Sequence, residues 1–317
     1  MPGTSPINTD RLGYLAMPHI LFVTNPAHDS EGFAHVHTRF AQAAANRPGL
    51  TLEPITVDAV LGRVNSTDAV KPDAALVWDK DTATARLLEA HGVRCFNSPT
   101  ATDVCENKLS TYHALRAAGV PQPDTVPIPR NPLSMQHDTS ERWAASPFID
   151  DAISALGLPM GGKPSVGSFG TNVQLIHNRD ELVSFCTTFD RFYSGLVQRY
   201  VPSLDGSDVR VAVIGGHAVA AMKRTGVTGE FRANIALGGT GASYALTDAV
   251  RRVAEDAARA VGADVAGVDV LGADTDSPVV CEVNACPQFA GLESSCKIDF
   301  PGAVLDHIER ALVWTAR

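Results

Sequence analysis

The sequence lacks the patterns that mark several large classes of protein. No apolar run approaches the roughly 20 residues that a membrane-spanning helix requires. The six cysteines include no Cys-x-x-Cys pair, so we expect no structural zinc, and reduced thiols in a cytoplasmic protein. The basic residues form no stripe, and a formal net charge of −9 argues against nucleic acid as the main partner. We therefore expect a globular protein with neither a membrane nor a nucleic-acid partner.

Two familiar nucleotide-binding patterns are also missing. No Gly-x-Gly-x-x-Gly follows the first predicted strand, so a dinucleotide site is not supported there. A P-loop places a lysine after its glycines, whereas the segment KPSVGSFGTNV places Lys163 before Gly167, Ser168 and Gly170. We interpret this segment as a phosphate-binding loop of another type.

The chain length of 317 residues favours two or three folding units. The first residues lack a charged start followed by an apolar segment, so we expect no signal peptide. Met17 is a candidate natural start, with residues 1–16 as an added remnant or a loose arm.

Strands alternate with helices in the first hundred residues. The segments HILFVT, TLEPITV, AALVW and VRCFN are short apolar runs typical of strands. Helices are predicted around His35–Ala45 and Thr82–His91. This alternation predicts a small parallel sheet.

The following segment is predicted to contain a helix and an extended stretch. Apolar spacing predicts the helix near Thr102–Ala118. The five prolines of GVPQPDTVPIPRNP exclude a helix interior or a central strand, so this stretch is a linker or a sheet edge. Residues 133–156 have no clear pattern and are a candidate mobile insertion.

The segment SDVRVAVIGGHAVAAMKR predicts a hairpin with one charged face. Its two central glycines suit a two-residue turn. Alternation places Asp208 and Arg210 on one face and a row of valines on the other. Symmetric pairing places Ala221 opposite Arg210 and Lys223 opposite Asp208. We interpret the charged face as the floor of a site; the alternative is the solvated face of an antiparallel sheet.

A second hairpin predicts two opposed carboxylates. A turn centred between Thr275 and Asp276 places Asp269 directly opposite Glu282, with Asn284 on the same face. Opposed residues have Cβ atoms about 5 Å apart, and two carboxylates that close repel unless a proton or a cation lies between them. With a carboxamide oxygen beside them, they suit Mg²⁺ better than zinc. The alternative is a solvated carboxylate pair, but the apolar flanks indicate burial.

The order of these segments resembles that of the ATP-grasp superfamily of carboxylate–amine ligases. The likeness is strongest to the branch of glutamate-adding ribosomal-protein ligases and amino-group-carrier ligases. NKLSTYHALRAAGVPQPDT resembles the family segment dK…t…L…aGiptP.T, and LGLPMGGKPSVGSFGTNV resembles lgfPvvvKp.eGs.G.gV. LVQRYV stands where the adenine-binding hinge is expected; DVRVAVIGGHAVAAMKR, GEFRANIALGG and AGVDVL…VVCEVNACPQFAGLE follow in the family order. The resemblance extends from about Asn97 to the end of the chain.

The resemblance implies an ATP-grasp fold of mixed α/β and α+β class. The expected parts are an N-terminal parallel α/β domain over residues 1–104, a central lid domain over 105–194 and a C-terminal antiparallel-sheet domain over 195–317. The nucleotide would lie between the last two.

The resemblance also implies three groups of site residues. ATP would be held by Lys108, Lys163, Gly167, Ser168, Gly170, Gln198, Arg199, Tyr200, Val201 and Asp208. One or two Mg²⁺ ions, with Mn²⁺ as an alternative, would be bound by Asp269, Glu282 and Asn284. The transferring phosphoryl group and the acyl end would be lined by Arg210, Arg224, Arg232 and Asn234, although a surface ion pair is the common role of an arginine.

Two positions depart from what the resemblance implies. Arg199 stands where many relatives have an acidic hinge residue, so its side chain is expected to do something else. Simple alternation places Arg224 on the face opposite Arg210, so either the strand bends or the assigned role is wrong.

The implied reaction is attack of a substrate carboxylate on the γ-phosphate of ATP, followed by displacement of phosphate by an amine. The leading hypothesis is a ligase that joins an amino acid or a small peptide to an amine, as a monomer or a homo-oligomer. The second is a cyclo-ligase of antibiotic biosynthesis, in which acid and amine belong to one molecule. The third is a non-catalytic nucleotide-binding regulator, which the joint presence of the lysines, Arg210 and the metal-ligand set disfavours.

Overall fold

The computed structural model describes residues 17–27, 31–130, 140–167, 170–189, 193–202, 206–226 and 239–315. The predicted site residues Ser168, Arg232 and Asn234 lie outside these ranges, as do residues 1–16 and residues 133–139 of the unassigned segment. The strands form three sheets. No helix in the described part of the chain is both long enough and apolar enough to cross a membrane.

The first sheet is parallel, as predicted. Its elements are β1 (His19–Thr24), α1 (Glu31–Ala45), β2 (Thr51–Thr56), α2 (Val60–Asn65), β3 (Ala74–Val77), α3 (Thr82–Ala90) and β4 (Arg94–Phe96). The strand order is β2-β1-β3-β4. Strands β1 and β3 are apolar almost throughout because α1 packs on one face of the sheet, and α2 and α3 pack on the other.

The predicted helix over Thr102–Ala118 is wrong in one respect, because two helices replace it. These are α4 (Pro99–Glu106) and α5 (Lys108–Ala117). Asn107 separates them: its backbone is extended, and its side chain accepts hydrogen bonds from the first turn of α5. Asparagine is a preferred residue at this capping position. The break places Lys108 at the very start of α5.

The second sheet contains the proline-rich stretch as an edge strand, as predicted. Its elements are β5 (Thr125–Pro127), α6 (Ser140–Ala144), α7 (Pro147–Leu156), β6 (Met160–Pro164), β7 (Gln174–Ile176), α8 (Arg179–Cys186) and β8 (Gly195–Arg199). The order is β5-β8-β6-β7. Strand β8, which the predicted limits assign to the third domain, therefore pairs within the second sheet. The domain limits stay a prediction, since sheet pairing alone does not define units that move separately.

The third sheet is antiparallel and carries six of the predicted site residues. Its elements are β9 (Ser207–Ile214), β10 (His217–Thr225), β11 (Thr240–Ser243), α9 (Asp248–Val261), β12 (Val265–Leu271), β13 (Val279–Asn284), α10 (Ala290–Cys296) and α11 (Phe300–Thr315). The order is β11-β10-β9-β12-β13. Gly215 and Gly216 form the predicted turn, with φ of 58° and 80°. Two consecutive positive φ angles are what a tight hairpin turn of this kind requires.

The predicted register of the β9–β10 hairpin is wrong by one residue. The strands pair as predicted next to the turn, but Val219 is left without a partner, and beyond it Met222 lies opposite Arg210. An extra residue of this kind is a β-bulge, which reverses the faces of all residues beyond it. Arg224 consequently lies opposite Asp208, on the same face as Arg210. The bend that the sequence required for Arg224 is this bulge.

The β12–β13 hairpin has the predicted register at its carboxylates and a bulge next to them. Asp269 lies directly opposite Glu282, which confirms the predicted pairing. Val270, however, pairs with Val280, so Cys281 is the extra residue. Strict alternation would have turned Cys281 away from Glu282, but its sulfur lies 3.4 Å from Lys163 Nζ.

One buried side chain joins the first sheet to the third. Asn97 follows β4 and is 4% exposed. Its Nδ2 donates to the carbonyl oxygens of Val265 and Ala285, at 2.8 Å each, and its Oδ1 accepts from the backbone N–H of Val265 at 2.8 Å. The amide therefore satisfies three buried backbone groups at the ends of β12 and β13.

We predict that Asn97→Ala lowers the free energy of unfolding by about 2–4 kcal/mol, because it leaves these backbone groups without partners. Urea unfolding of the purified variant measures the change. Asn65→Ala, at an exposed helix position, is the matched control and is expected to stay within about 0.5 kcal/mol of the parent. Equal stability of the two variants would contradict the bridging role of Asn97.

Candidate active site

A cleft between α5, the second sheet and β13 brings together four of the predicted site residues. Its empty volume, including the mouth that opens to solvent, is about 350 Å³. It is lined by Lys108, Thr111, Tyr112, Leu115, Gln122, Thr125, Lys163, Leu196, Gln198, Cys281 and Glu282. Two lysines, a carboxylate and an apolar helix face suit a ligand with an anionic end and a flat apolar end.

Lys108 links the glycine-rich segment to the carboxylate of the third sheet. Its Nζ donates to the carbonyl oxygen of Gly167 at 2.7 Å and lies 3.5 Å from Glu282 Oε1. The backbone N–H of the same residue donates to Ser165 O at 2.8 Å. Both the backbone and the ammonium group of Lys108 are thus held in place, and the positive charge lies next to the glycine-rich segment.

Lys163 lies on β6 with its ammonium group deep in the cleft. Its Nζ donates to Gln198 Oε1 at 2.8 Å and to Cys281 Sγ at 3.4 Å. Burial lowers the pKa of this lysine, but Cys281, Glu282 and Asp269 outweigh burial and raise it. Burial raises the pKa of the Cys281 thiol despite the nearby lysine. Because a protonated thiol carries no charge, we attribute the raised lysine pKa to the two carboxylates.

The described part of the glycine-rich segment has an unusual backbone. Gly167 has φ of 144° and Gly170 has φ of 71°. Asn172 also has a positive φ, of 58°, which asparagine tolerates better than most residues. Anion-binding loops commonly alternate right- and left-handed backbone, which exposes successive N–H groups on one side.

Next to the cleft lies a buried cluster of four charged residues on β9, β10 and β12. Arg210 donates to both oxygens of Asp269, from Nε at 2.7 Å and from Nη2 at 2.8 Å. Arg224 donates to Asp208 with two nitrogens, including Nε at 2.7 Å, and its Nη2 lies 2.9 Å from Asp269 Oδ2. The Arg224 and Asp269 side chains are only 8% and 7% exposed. Two guanidinium groups and two carboxylates therefore balance one another in the sheet.

The two carboxyl groups of this cluster have pKa values shifted in opposite directions. Burial raises the pKa of Asp269, but hydrogen bonds and charges from both arginines outweigh it and lower the pKa to about 2. Burial raises the pKa of Asp208 to about 6, because Arg224 and the more distant Arg210 offset it only in part while the Asp269 carboxylate adds to it. Asp269, which touches both guanidinium groups, is the carboxylate that stays ionised most firmly.

The position of Arg224 bears on its predicted role at the acyl end. Its guanidinium group is buried and engaged by Asp208 and Asp269. Burial lowers the pKa of Arg224, but these two carboxylates outweigh it and raise the pKa. The geometry favours a residue that acts through its aspartates over one that contacts a substrate directly. Asp208, predicted to hold the nucleotide, likewise supports Arg224.

The predicted metal ligands share one face of the β12–β13 hairpin. Asp269 and Glu282 are opposed, and Asn284 lies two residues further along, with Nδ2 donating to Gly267 O at 3.4 Å. Two carboxylates and a carboxamide are hard oxygen donors of the kind Mg²⁺ takes, so the donor set fits this metal. Among the described residues, no group of three His, Cys, Asp or Glu side chains is arranged to hold a metal. At present Asp269 is held by arginines, and Glu282 lies near Lys108.

Of the predicted adenine-hinge residues 198–201, one side chain lies inside the cleft and the others lie at its border. Gln198 is 9% exposed and faces Lys163. The Arg199 side chain turns away, to Asp124 Oδ2 at 3.0 Å and to two carbonyl oxygens at the end of α7. Tyr200 and Val201 follow directly after β8. Any contact of Arg199 with a nucleotide therefore falls to its backbone.

Several residues of the cleft were missed by reasoning from the sequence. Cys281 reaches the cleft only because of the bulge in β13, for which the sequence gives no signal. Thr125 lies in the stretch interpreted as linker or edge, although it ends the segment that resembles the family. Tyr112 lies within the predicted helix near Thr102–Ala118, and its position one turn after Lys108 was the available signal for a place in the cleft.

Comparison with known proteins first defines the class of fold. The structure of D-alanine–D-alanine ligase from Bacillus anthracis, solved with ATP, is similar with a TM-score of 0.68 and 17% sequence identity, over 94% of this chain and 98% of that chain. At this identity the likeness concerns the fold alone. A sequence profile of the RimK-like ATP-grasp domain matches residues 106–308. The protein therefore belongs to the RimK-like ATP-grasp family, and the predicted fold is confirmed.

Two relatives are similar in sequence over most of this chain. N-acetylaspartylglutamate synthase A of Homo sapiens is 32% identical over 262 residues, which cover 83% of this chain. A probable alpha-L-glutamate ligase of Xanthomonas oryzae pv. oryzae is 33% identical over 263 residues, or 82% of this chain. The chain spans only 61% of the length of the human synthase and 81% of the length of the bacterial ligase.

The buried cluster yields a prediction about stability. We expect Arg224→Met to lower the free energy of unfolding by about 3–5 kcal/mol, because it leaves buried carboxylates with too little positive charge. Arg199→Met is the matched control: this arginine is 47% exposed, and its loss should cost less than about 1 kcal/mol. Chemical denaturation at pH 7.5 gives both values. Similar small losses in the two variants would refute the cluster as a stabilising unit.

Proposed function

We propose that this protein is an ATP- and Mg²⁺-dependent ligase that joins a carboxylate to an amine and releases ADP and phosphate. The observation that carries the proposal is the cleft in which Lys108, Lys163 and Glu282 surround one cavity beside the Arg210–Asp269 pair. Both relatives have glutamate in their names, so glutamate is our first candidate for the amine substrate. The acid is an amino acid or a small peptide.

ATP occupies the cleft in this proposal. Lys108 and Lys163 hold its phosphates, the backbone of the glycine-rich segment covers the β- and γ-phosphates, and the backbone around Arg199–Val201 binds the adenine. The similar ligase of Bacillus anthracis, solved with ATP, supports the choice of nucleotide. We also propose that residues 105–194 act as a lid over it, as the predicted domain division implies.

Asp269, Glu282 and Asn284 hold Mg²⁺ in this proposal. The metal, when bound, neutralises charge on the β- and γ-phosphates. Both Asp269 oxygens accept hydrogen bonds from Arg210, and we propose that Asp269 gives up at least one of these bonds when it binds the metal. Arg224 contacts only Oδ2 of Asp269 and can remain in place as support.

The release of Arg210 gives this arginine its part in the reaction. Its guanidinium group, once freed, lies beside the cleft and is available to the transferring phosphoryl group and the acyl phosphate. The substrate carboxylate attacks the γ-phosphorus and ADP leaves; the amine then attacks the acyl carbon and phosphate leaves. This chemistry depends on positioning and charge neutralisation more than on a protein nucleophile. The neutral Cys281 thiol is consistent with that, since a reactive cysteine needs a lowered pKa.

We predict that turnover gives ADP and phosphate, because lysines, loop amides and metal hold the β- and γ-phosphates and leave the γ-phosphate facing the substrate. Incubation with Mg-ATP, glutamate and pools of acids, followed by nucleotide separation, provides the measurement. Formation of AMP that depends on substrate would contradict this mechanism. ADP formation from one amino acid alone, with a product lighter by one water, would instead favour the ring-closing alternative.

Two variants control this experiment. Glu282→Gln keeps the shape of the side chain and removes its charge, so we expect turnover to fall by on the order of 10²–10³ while the protein stays folded. Glu141→Gln makes the same exchange at an exposed position of α6 and is expected to leave turnover unchanged.

A further inference from the structure

A buried chain of hydrogen bonds leads from the edge strand β5 to the lysine of the cleft. Thr125 Oγ1 donates to the carbonyl oxygen of Pro123 at 2.9 Å. The same oxygen lies 2.9 Å from Gln198 Nε2, and Gln198 Oε1 lies 2.8 Å from Lys163 Nζ. Thr125 and Gln198 are 8% and 9% exposed.

The donors and acceptors in this chain fix the orientation of the Gln198 amide. A carbonyl oxygen can only accept, so the single hydroxyl proton of Thr125 goes to Pro123. The Thr125 oxygen is then an acceptor, and the amide nitrogen of Gln198 has to face it. The amide oxygen of Gln198 is thereby directed at Lys163, which carries only donors.

The same accounting fixes the direction of the Lys163 ammonium group. Its three N–H bonds point in tetrahedral directions, and among the described residues Gln198 and Cys281 engage two of them. The third direction follows from these two and is available to a ligand in the cleft. Without the Gln198 contact, the ammonium group would rotate about its long, flexible stem.

The contact between β5 and β8 does not depend on the Thr125 hydroxyl. The two strands pair through their backbones, with Thr125 opposite Gln198, Val126 opposite Val197 and Pro127 opposite Leu196. A variant that loses only the hydroxyl therefore keeps the sheet and loses the orientation of the amide. Structural and positioning roles of the hydroxyl can be separated for this reason.

We infer that Thr125 is a positioning residue for the nucleotide, which orients Gln198 and through it directs Lys163 at the phosphates of ATP. The inference rests on the proposed function, because it assumes that ATP occupies the cleft. Thr125 sets nucleotide affinity and not the affinity for the acid or the amine.

The test uses Thr125→Val, which keeps the shape and removes the hydroxyl, and Thr125→Ser, which keeps the hydroxyl and removes a methyl group. Titration of the full chain with Mg²⁺ and a fluorescent ATP analogue gives the affinity. We expect Thr125→Val to weaken binding about 5–10-fold, the effect of one lost hydrogen bond, and Thr125→Ser to stay within about 2-fold of the parent. In steady-state assays the KM for ATP should rise by the same factor, while the KM for glutamate stays constant.

Two further variants make the outcome specific. Gln198→Met should weaken analogue binding as Thr125→Val does, and the double variant should be no weaker than Gln198→Met alone, because both act through one chain. Thr38→Val, on the exposed side of α1, is the control for the exchange itself and should bind like the parent. If Thr125→Val does not fold, Thr125→Ala removes the same hydroxyl and takes its place, with the same expected loss of affinity relative to Thr125→Ser.

The outcomes separate the inference from the proposed function. Parent-like binding by Thr125→Val, equal losses in the valine and serine variants, or additive losses in the double variant would overturn the role of Thr125. Parent-like binding by Gln198→Met would overturn the chain as a whole. Lys163→Met tests the proposed site itself: if it binds the analogue as tightly as the parent, the cleft is not the nucleotide site.

Discussion

The four-residue charge cluster in the third sheet is the constraint on which the rest of the site depends. Isolated charges at this depth would be strongly destabilising, so each carboxylate needs a guanidinium group within hydrogen-bond distance. Asp269 meets that need twice, through Arg210 and Arg224, and its pKa stays low for this reason. A carboxylate must be ionised to bind a metal ion, and the two arginines keep Asp269 ionised although it is buried. The same arrangement therefore serves stability and the proposed binding of Mg²⁺.

Two β-bulges and one glycine place the side chains of this cluster and of the cleft beside it. The bulge at Val219 turns Arg224 onto the face of Arg210; without it, Lys223 and not Arg224 would lie opposite Asp208. The bulge at Cys281 lets a second polar side chain of β13 reach the cleft. Gly267 matters as well: a Cβ atom there would lie 2.7 Å from Pro287 Cβ and 3.7 Å from Arg210 Cδ, so a larger residue would disturb the packing beside Arg210.

The sequence allowed the sheets and the opposed carboxylates to be predicted, and it failed where a single residue changes the register. The pairing of Asp269 with Glu282 was predicted from a turn centred between Thr275 and Asp276, and it is observed although Cys281 shifts the register between the pair and the turn. Val219 and Cys281 look like ordinary strand residues, and no local preference distinguishes a bulged residue from a paired one. The break at Asn107 was also missed, although an asparagine before a helical run is a capping signal.

The buried chain of hydrogen bonds through Thr125 could not be predicted from the sequence either, because its three side chains come from strands that are far apart in sequence. Thr125, Lys163 and Gln198 meet only through the order β5-β8-β6 of the second sheet. The sequence did indicate that the proline-rich stretch forms an edge, but not that its threonine points into the cleft. Roles for individual side chains therefore required the structure, whereas the class of fold did not.

The account makes its central claim about Asp269, which we propose passes from Arg210 to a metal when the nucleotide binds. A crystal structure of the complex with Mg²⁺ and a non-hydrolysable ATP analogue tests this most directly. We expect Asp269 to coordinate the metal together with Glu282, the Arg210 Nε contact at 2.7 Å to be broken, and Arg224 to remain on Oδ2. A metal bound in the cleft while Arg210 still holds both oxygens of Asp269 would contradict the account.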